Sequence, residues 1–177
     1  MKKILSILLL IIAFVSNINA EPSSKIIVYK DTIIVGLKIT TNLQNVTKDS
    51  EKLWQDFLTK KLDNTIPHRS NKNKYVVTTN YNGENFDIIV GVPVNQVDGK
   101  TIDPKLSIVS IKSGKYINFK TKAGQFPKNL KETWGKIYSD NQLAKERKYS
   151  TDYEVYTPKS LNNLNNAQID IFISVNK

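Results

Sequence analysis

An α+β fold, in which two βαββ repeats form a pseudo-twofold antiparallel sheet with two helices on one face, is predicted by three features of the chain. Two segments carry apolar residues at helical spacing. Each follows a β-branched, strand-like run and precedes two more such runs. The closing strand of the first set, Phe86-Asp-Ile-Ile-Val-Gly-Val92, matches Ile169-Asp-Ile-Phe-Ile-Ser-Val175 in residue class at six of seven positions, with Gly91 against Ser174 as the exception. The order strand, helix, strand, strand therefore occurs twice.

In the first set, Ile26, Val28, Ile33, Val35, Leu37 and Ile39 alternate around a break at Asp31, so residues 25–41 read as a strand pair or one bent strand. Asp49 or Ser50 offers an N-cap, and Leu53, Trp54, Phe57, Leu58 and Leu62 recur on one face of an amphipathic helix. Residues 75–81 and 86–94 flank Asn82-Gly-Glu-Asn85, the composition of a hairpin turn.

In the second set, residues 106–111 and 116–120 read as strands of a further hairpin across the turn at 112–115. Pro127 stands where a first helical turn tolerates it, and Leu130, Trp134, Ile137 and Tyr138 share one face of the second helix. Strands over 149–156 and 167–175 close the set. Between them, the Asn-rich stretch 158–166 reads as a mobile polar loop.

The ends and the composition bound the function. Lys2 and Lys3 precede an apolar run over 4–15 broken only by Ser6, which has the form of a signal peptide. That run is short of the roughly 20 residues that cross a bilayer. Cleavage after Ala20 leaves 21–177 as one domain, exported to the periplasm or medium with no transmembrane anchor. With no cysteine and a single histidine, His68, neither a disulfide framework nor a Cys/His metal site is expected.

Without Lys2 and Lys3, 24 basic residues face 16 acidic ones, a balance that favours weak association with anionic surfaces. The lysines are scattered and lack the clustered arginines and interleaved aromatics of a nucleic-acid face. Gly99-Lys-Thr101 resembles the end of a phosphate loop, but Val94 occupies the place of its first glycine. No cofactor, metal or nucleic acid is expected.

The chemistry concentrates in Tyr153-Glu-Val-Tyr156. Alternation puts Glu154 and Tyr156 on one face and Tyr153 and Val155 on the other, and leaves open which face points inward. A buried Glu154 would stay protonated or await a cation, and surrounding rings would reinforce cation binding. The groove between the two halves is the expected ligand site.

In chain order, Leu53-Trp-Gln-Asp-Phe57, residues 75–81, Val90-Gly-Val92, Gly114-Lys-Tyr116, Trp134 with Tyr138, and Asp152-Tyr-Glu-Val-Tyr156 resemble the GyrI-like, or AraC-type effector-binding, domain over roughly residues 33–175. The resemblance implies two βαββ repeats and a small apolar or cationic ligand in an aromatic pocket. It makes Glu154 the central acid, lined by Tyr156 and Phe172, with Trp134, Tyr116 and Tyr81 as further lining residues. Relatives similar to hydrolases imply an alternative, in which Glu154 acts as a general base. Regulators of the family carry a DNA-binding partner domain, so direct transcriptional control is not expected here. His68 stands where relatives often carry asparagine.

Overall fold

A computed structural model describes residues 25–99 and 101–176. The segment read as a signal peptide lies outside the described residues. Eight strands, β1 Lys25–Val28, β2 Thr32–Asn42, β3 Lys74–Asn82, β4 Asn85–Val94, β5 Ser107–Ile111, β6 Lys115–Lys120, β7 Thr151–Tyr156 and β8 Asp170–Ser174, form one antiparallel sheet in the order β1-β6-β8-β7-β3-β4-β2-β5. Two long helices, α1 Val46–Thr59 and α3 Lys128–Ser139, lie on one face. The short helices are α2 Leu62–Thr65, α4 Asn141–Glu146 and α5 Pro158–Asn162.

The predicted repeat is present. β2-α1-β3-β4 and β6-α3-β7-β8 are the two βαββ units, joined side by side where β3 pairs with β7. The sequence match of 86–92 to 169–175 equates Ile88 with Ile171 and Val90 with Ile173. These residues sit at matching places, Ile88 and Val90 under Leu53 and Phe57 of α1, Ile171 and Ile173 under Ile137 of α3. Amphipathic spacing thus becomes one core stripe per helix, each laid on its own half-sheet.

The remaining strands are exchanged between halves. β1 precedes the first unit yet pairs with β6 of the second, and β5 precedes the second yet pairs with β2 of the first. The hairpin expected across 112–115 does not form, and β1 and β2 are not partners. In a flat sheet β1 and β2 would lie roughly 29 Å apart, whereas the three-residue link 29–31 reaches about 14 Å. The sheet must curl. The two short links meet at Asp31, whose carboxylate accepts from the Ser113 backbone N–H at 2.7 Å and from Lys112 Nζ at 3.0 Å.

Curling gives the helix-free face its own core, in which Ile34, Val77, Ile89 and Ile111 surround Tyr116, Tyr153 and Phe172. The opposed pair Gly36 and Gly91 lies on this face. A Cβ on Gly36 would come within 2.0 Å of the Val90 carbonyl oxygen, so no side chain fits.

Three local readings are corrected. α1 begins at Val46, a turn before the expected cap, because Asn42 Oδ1 already collects the N–H groups of Gln44 and Asn45. Asp49 lies in its first turn and accepts the Thr41 hydroxyl at 2.5 Å. The stretch after Asn141 is helical, capped by Asp140 and anchored by buried Leu143. The Asn-rich stretch contains α5, in which Thr157 caps Ser160 and Pro158 occupies the first turn. Buried Ser160 donates to the Gln168 carbonyl at 2.6 Å, which ties α5 to the chain leading into β8.

Candidate functional site

α1 and α3 sit over separate halves of the sheet, and between them, above the β3–β7 seam, is a cavity of about 580 Å³. Its floor comes from inward positions of the strands: Val76 and Thr78 of β3, Ile88 of β4, and Glu154 and Tyr156 of β7. Trp54 of α1 and Trp134 of α3 form its walls, with Phe126 preceding α3. Alternation along β7 gives Glu154 and Tyr156 to this face and sends Tyr153 to the curled one.

By the repeat register, Glu154 corresponds to Thr78. Both line the cavity, so the pseudo-twofold arrangement is broken chemically by one acid.

Glu154 is buried. Its Oε1 accepts from Trp134 Nε1 at 2.6 Å, and its Oε2 shares a hydrogen bond with the Tyr156 hydroxyl. Tryptophan can only donate, so any proton on the acid resides on Oε2. The neutral acid donates to Tyr156, and the carboxylate accepts from it, with no change of partners. Among the described residues no cation forms an ion pair with Glu154. Burial raises its pKa, and the bonds from Tyr156 and Trp134 oppose the rise. Burial and the adjacent acid push the Tyr156 hydroxyl well above its ordinary value.

Rings surround this acid. Trp54 and Phe126 meet Tyr156 edge-on at 5.0 and 6.0 Å, and Tyr138 stacks on Trp134 at 5.3 Å. At the mouth, Lys131 of α3 and Glu51 of α1 approach within 3.8 Å, both mostly exposed. Gly135 on α3 also faces the cavity, and a Cβ there would meet nothing within 4 Å.

Of the six residues singled out in the sequence, Glu154, Tyr156 and Trp134 converge here. Phe172 and Tyr116 do not line the cavity. Phe172 pairs with Tyr153 across β7 and β8, which puts it on the curled face, and Tyr116 joins the same cluster. Tyr81 lies outside the cavity too. The β3–β4 ladder slips between Thr79 and Asn82, with Asn80 at a φ of 53°. This bulge turns Tyr81 toward Phe86, and its hydroxyl donates to Asp152 Oδ2 at 2.6 Å. His68 does not line this cavity. It sits beside Gln96 with a φ of 57°, a left-handed conformation that suits asparagine.

Sequence reasoning passed over Arg147 and Asp152. Asp152 is fully buried two residues before Glu154, and it accepts from Arg147 Nη2 at 2.6 Å, the Ser174 N–H at 2.7 Å and the Ser174 hydroxyl at 3.0 Å. An acid among the apolar and aromatic residues of a central strand was the available signal.

The structure resembles several solved proteins. An integron cassette protein from the mobile metagenome of Vibrio cholerae superposes with a TM-score of 0.64 at 22% identity, over 86% of this chain and 95% of that one. SAV2435, solved with bound tetraphenylphosphonium, gives 0.68 at 13% identity, over 86% and 93%. A putative bacterial transcription regulation protein from Staphylococcus aureus MU50 gives 0.66 at 14%, over 87% and 98%. No curated protein sequence is significantly similar to the chain. The profile of the integron-associated effector binding proteins, Cass2, matches residues 25–175. With two βαββ halves, a cavity between their helices and a profile match over nearly all the described residues, the chain belongs to the Cass2 family of GyrI-like effector-binding domains.

Proposed function

We propose that the chain is an exported binding protein for small lipophilic cations, held between α1 and α3 with Glu154 as their counter-charge. The observation that carries this reading is a buried acid with neutral hydrogen-bond donors and, among the described residues, no paired cation, at the floor of a cavity walled by rings. A ligand cation would stabilise the carboxylate that burial disfavours, and the indole and phenol rings would add cation–π attraction. Support comes also from SAV2435, which shares the fold and was solved with a lipophilic cation, tetraphenylphosphonium. Export rests on the charged and apolar segments of residues 1–20. No helix among the described residues is long and apolar enough to cross a membrane.

Calorimetric titration of the purified protein with tetraphenylphosphonium tests the reading. Saturable binding at neutral pH that Glu154→Gln weakens at least about tenfold is expected. Absence of binding overturns it. Retained binding in Glu154→Gln, with hydrolytic turnover present only in the parent protein, would favour the alternative in which Glu154 is a general base.

A further inference from the structure

A second cavity, of about 590 Å³, adjoins the first. Phe86 and Tyr138 line both and form the partition. Leu43, Tyr81, Arg147 and Tyr149 are among its other walls. Leu43, Tyr138 and Tyr149 are 59%, 50% and 46% exposed, and their gathering around one hollow distinguishes them from apolar residues scattered singly over a surface.

The chemistry here is the reverse of that around Glu154. Tyr149, Tyr138 and Tyr81 surround the Arg147 guanidinium, with ring centres 4.6, 5.7 and 5.9 Å from its central carbon. The aromatic cage is already filled by the protein's own cation, and that cation is neutralised by Asp152. A second cation would meet repulsion from the enclosed Arg147, and the acid that lines this cavity, Glu84, is exposed, so water screens the attraction it could offer. The exposed ring surfaces and Leu43 instead offer apolar, flat contact. The guanidinium keeps donor capacity in Nη1, which has no hydrogen bond among the described residues, while Nη2 serves both Asp152 and Tyr81 and the unpartnered Nε is enclosed.

We propose that this cavity is a second binding subsite, for uncharged planar aromatic molecules bearing a hydrogen-bond acceptor, separate from the Glu154 cavity. The probe is prodan, an uncharged naphthalene ketone whose emission shifts to the blue in apolar surroundings. Titrated into the parent protein it should give a saturable blue shift. Tyr149→Ala should weaken it about fivefold, the loss of one ring contact. Glu154→Gln should leave it within about twofold, since that acid does not line this cavity.

Saturating tetraphenylphosphonium should not displace the probe. Leu43→Ser, at an exposed wall position, provides a second variant should Tyr149→Ala fold poorly, and it too should weaken the probe. No blue shift in the parent protein, displacement by tetraphenylphosphonium, or loss of the probe in Glu154→Gln but not in Tyr149→Ala or Leu43→Ser would each overturn the proposal. A protein that binds prodan in this pattern and ignores tetraphenylphosphonium would sustain the second subsite while refuting the cation reading of the first.

Discussion

Asp152 and Glu154 are two buried acids, two residues apart on β7, and they live in opposite electrostatic worlds. Asp152 accepts from a guanidinium, a tyrosine hydroxyl, a serine hydroxyl and a backbone N–H. Among the described residues Glu154 meets an indole N–H and a phenol, and no cation. The first arrangement is complete within the protein, whereas the second lacks a positive charge and opens on a cavity. Burial alone therefore does not single out an acid for binding; burial without a counter-charge is what supports the proposal for Glu154.

The sharpest way to break this contrast is to neutralise each acid in turn. Asp152→Asn leaves Arg147 charged, enclosed and unpaired, and removing one partner of such a pair costs about 3–5 kcal/mol. Urea unfolding should register a loss of that size. A change under about 1 kcal/mol would mean that the pair is not structural.

Glu154→Gln should act in the opposite direction. Glutamine offers an oxygen to Trp134 and an amide to the Tyr156 oxygen, so both contacts survive without a charge to desolvate. At neutral pH the variant should be more stable by on the order of 1 kcal/mol, while losing affinity for lipophilic cations.

The pH dependence of the parent protein follows from the same group. Its native pKa lies above the 4.5 of an ordinary glutamate. Below that ordinary value, native and unfolded states both hold the proton and the stability is fully present. As pH rises the unfolded chain ionises first, and stability falls until native Glu154 also ionises. Thermal unfolding of the ligand-free protein should show this decline above the ordinary value, and Glu154→Gln should remove it. Affinity for a cation should rise across the same range, since binding favours the ionised form.

Much of this architecture was legible in the sequence, and what was not has physical causes. Helical spacing around Leu53 and Trp134 and the paired motifs ending at Val92 and Val175 carried the repeat, because each core stripe is a local periodic pattern. Strand exchange was hidden, since the partners of β1 and β5 lie in the other half. The placement of Phe172 followed from the register of β8 against β7, a long-range pairing that alternation within one strand cannot supply. Tyr81 follows a bulge that reverses the alternation and turns it from the curled face of Tyr75 and Val77 to the helix side, where it packs on Phe86 outside the cavity. Two short helices carried readable signals in Asp140 and the Thr157-Pro158 pair, each placed as a cap demands.

A third substitution sharpens the contrast by filling the space above one acid and leaving the other alone. Gly135 faces the Glu154 cavity with open space where a Cβ would lie, and it does not line the cavity around Arg147. Gly135→Leu should stabilise α3 by about 0.5–1 kcal/mol through helix propensity and obstruct the cavity. Raised thermal stability together with lost tetraphenylphosphonium binding is the expected pair of readings. Undiminished affinity would place the ligand elsewhere.

The smallest effect belongs to the mouth, where Lys131 faces Glu51 across the gap between α3 and α1. Both side chains are mostly exposed, so their attraction contributes little to stability, about 0–1 kcal/mol. Their influence on an entering cation is electrostatic and of the same modest order. Lys131→Ala removes a repelling charge and leaves Glu51 facing the opening without its partner. Calorimetry at low ionic strength should find tetraphenylphosphonium bound about twofold more tightly, with the gain vanishing as the screening length falls to about 3 Å in 1 M salt. The same substitution should leave the urea transition within about 0.5 kcal/mol of the parent, because neither buried acid depends on this lysine. A gain that persisted in high salt would instead point to a change in the shape of the mouth, and the field of Glu154 and Glu51 would then not be what draws the cation in.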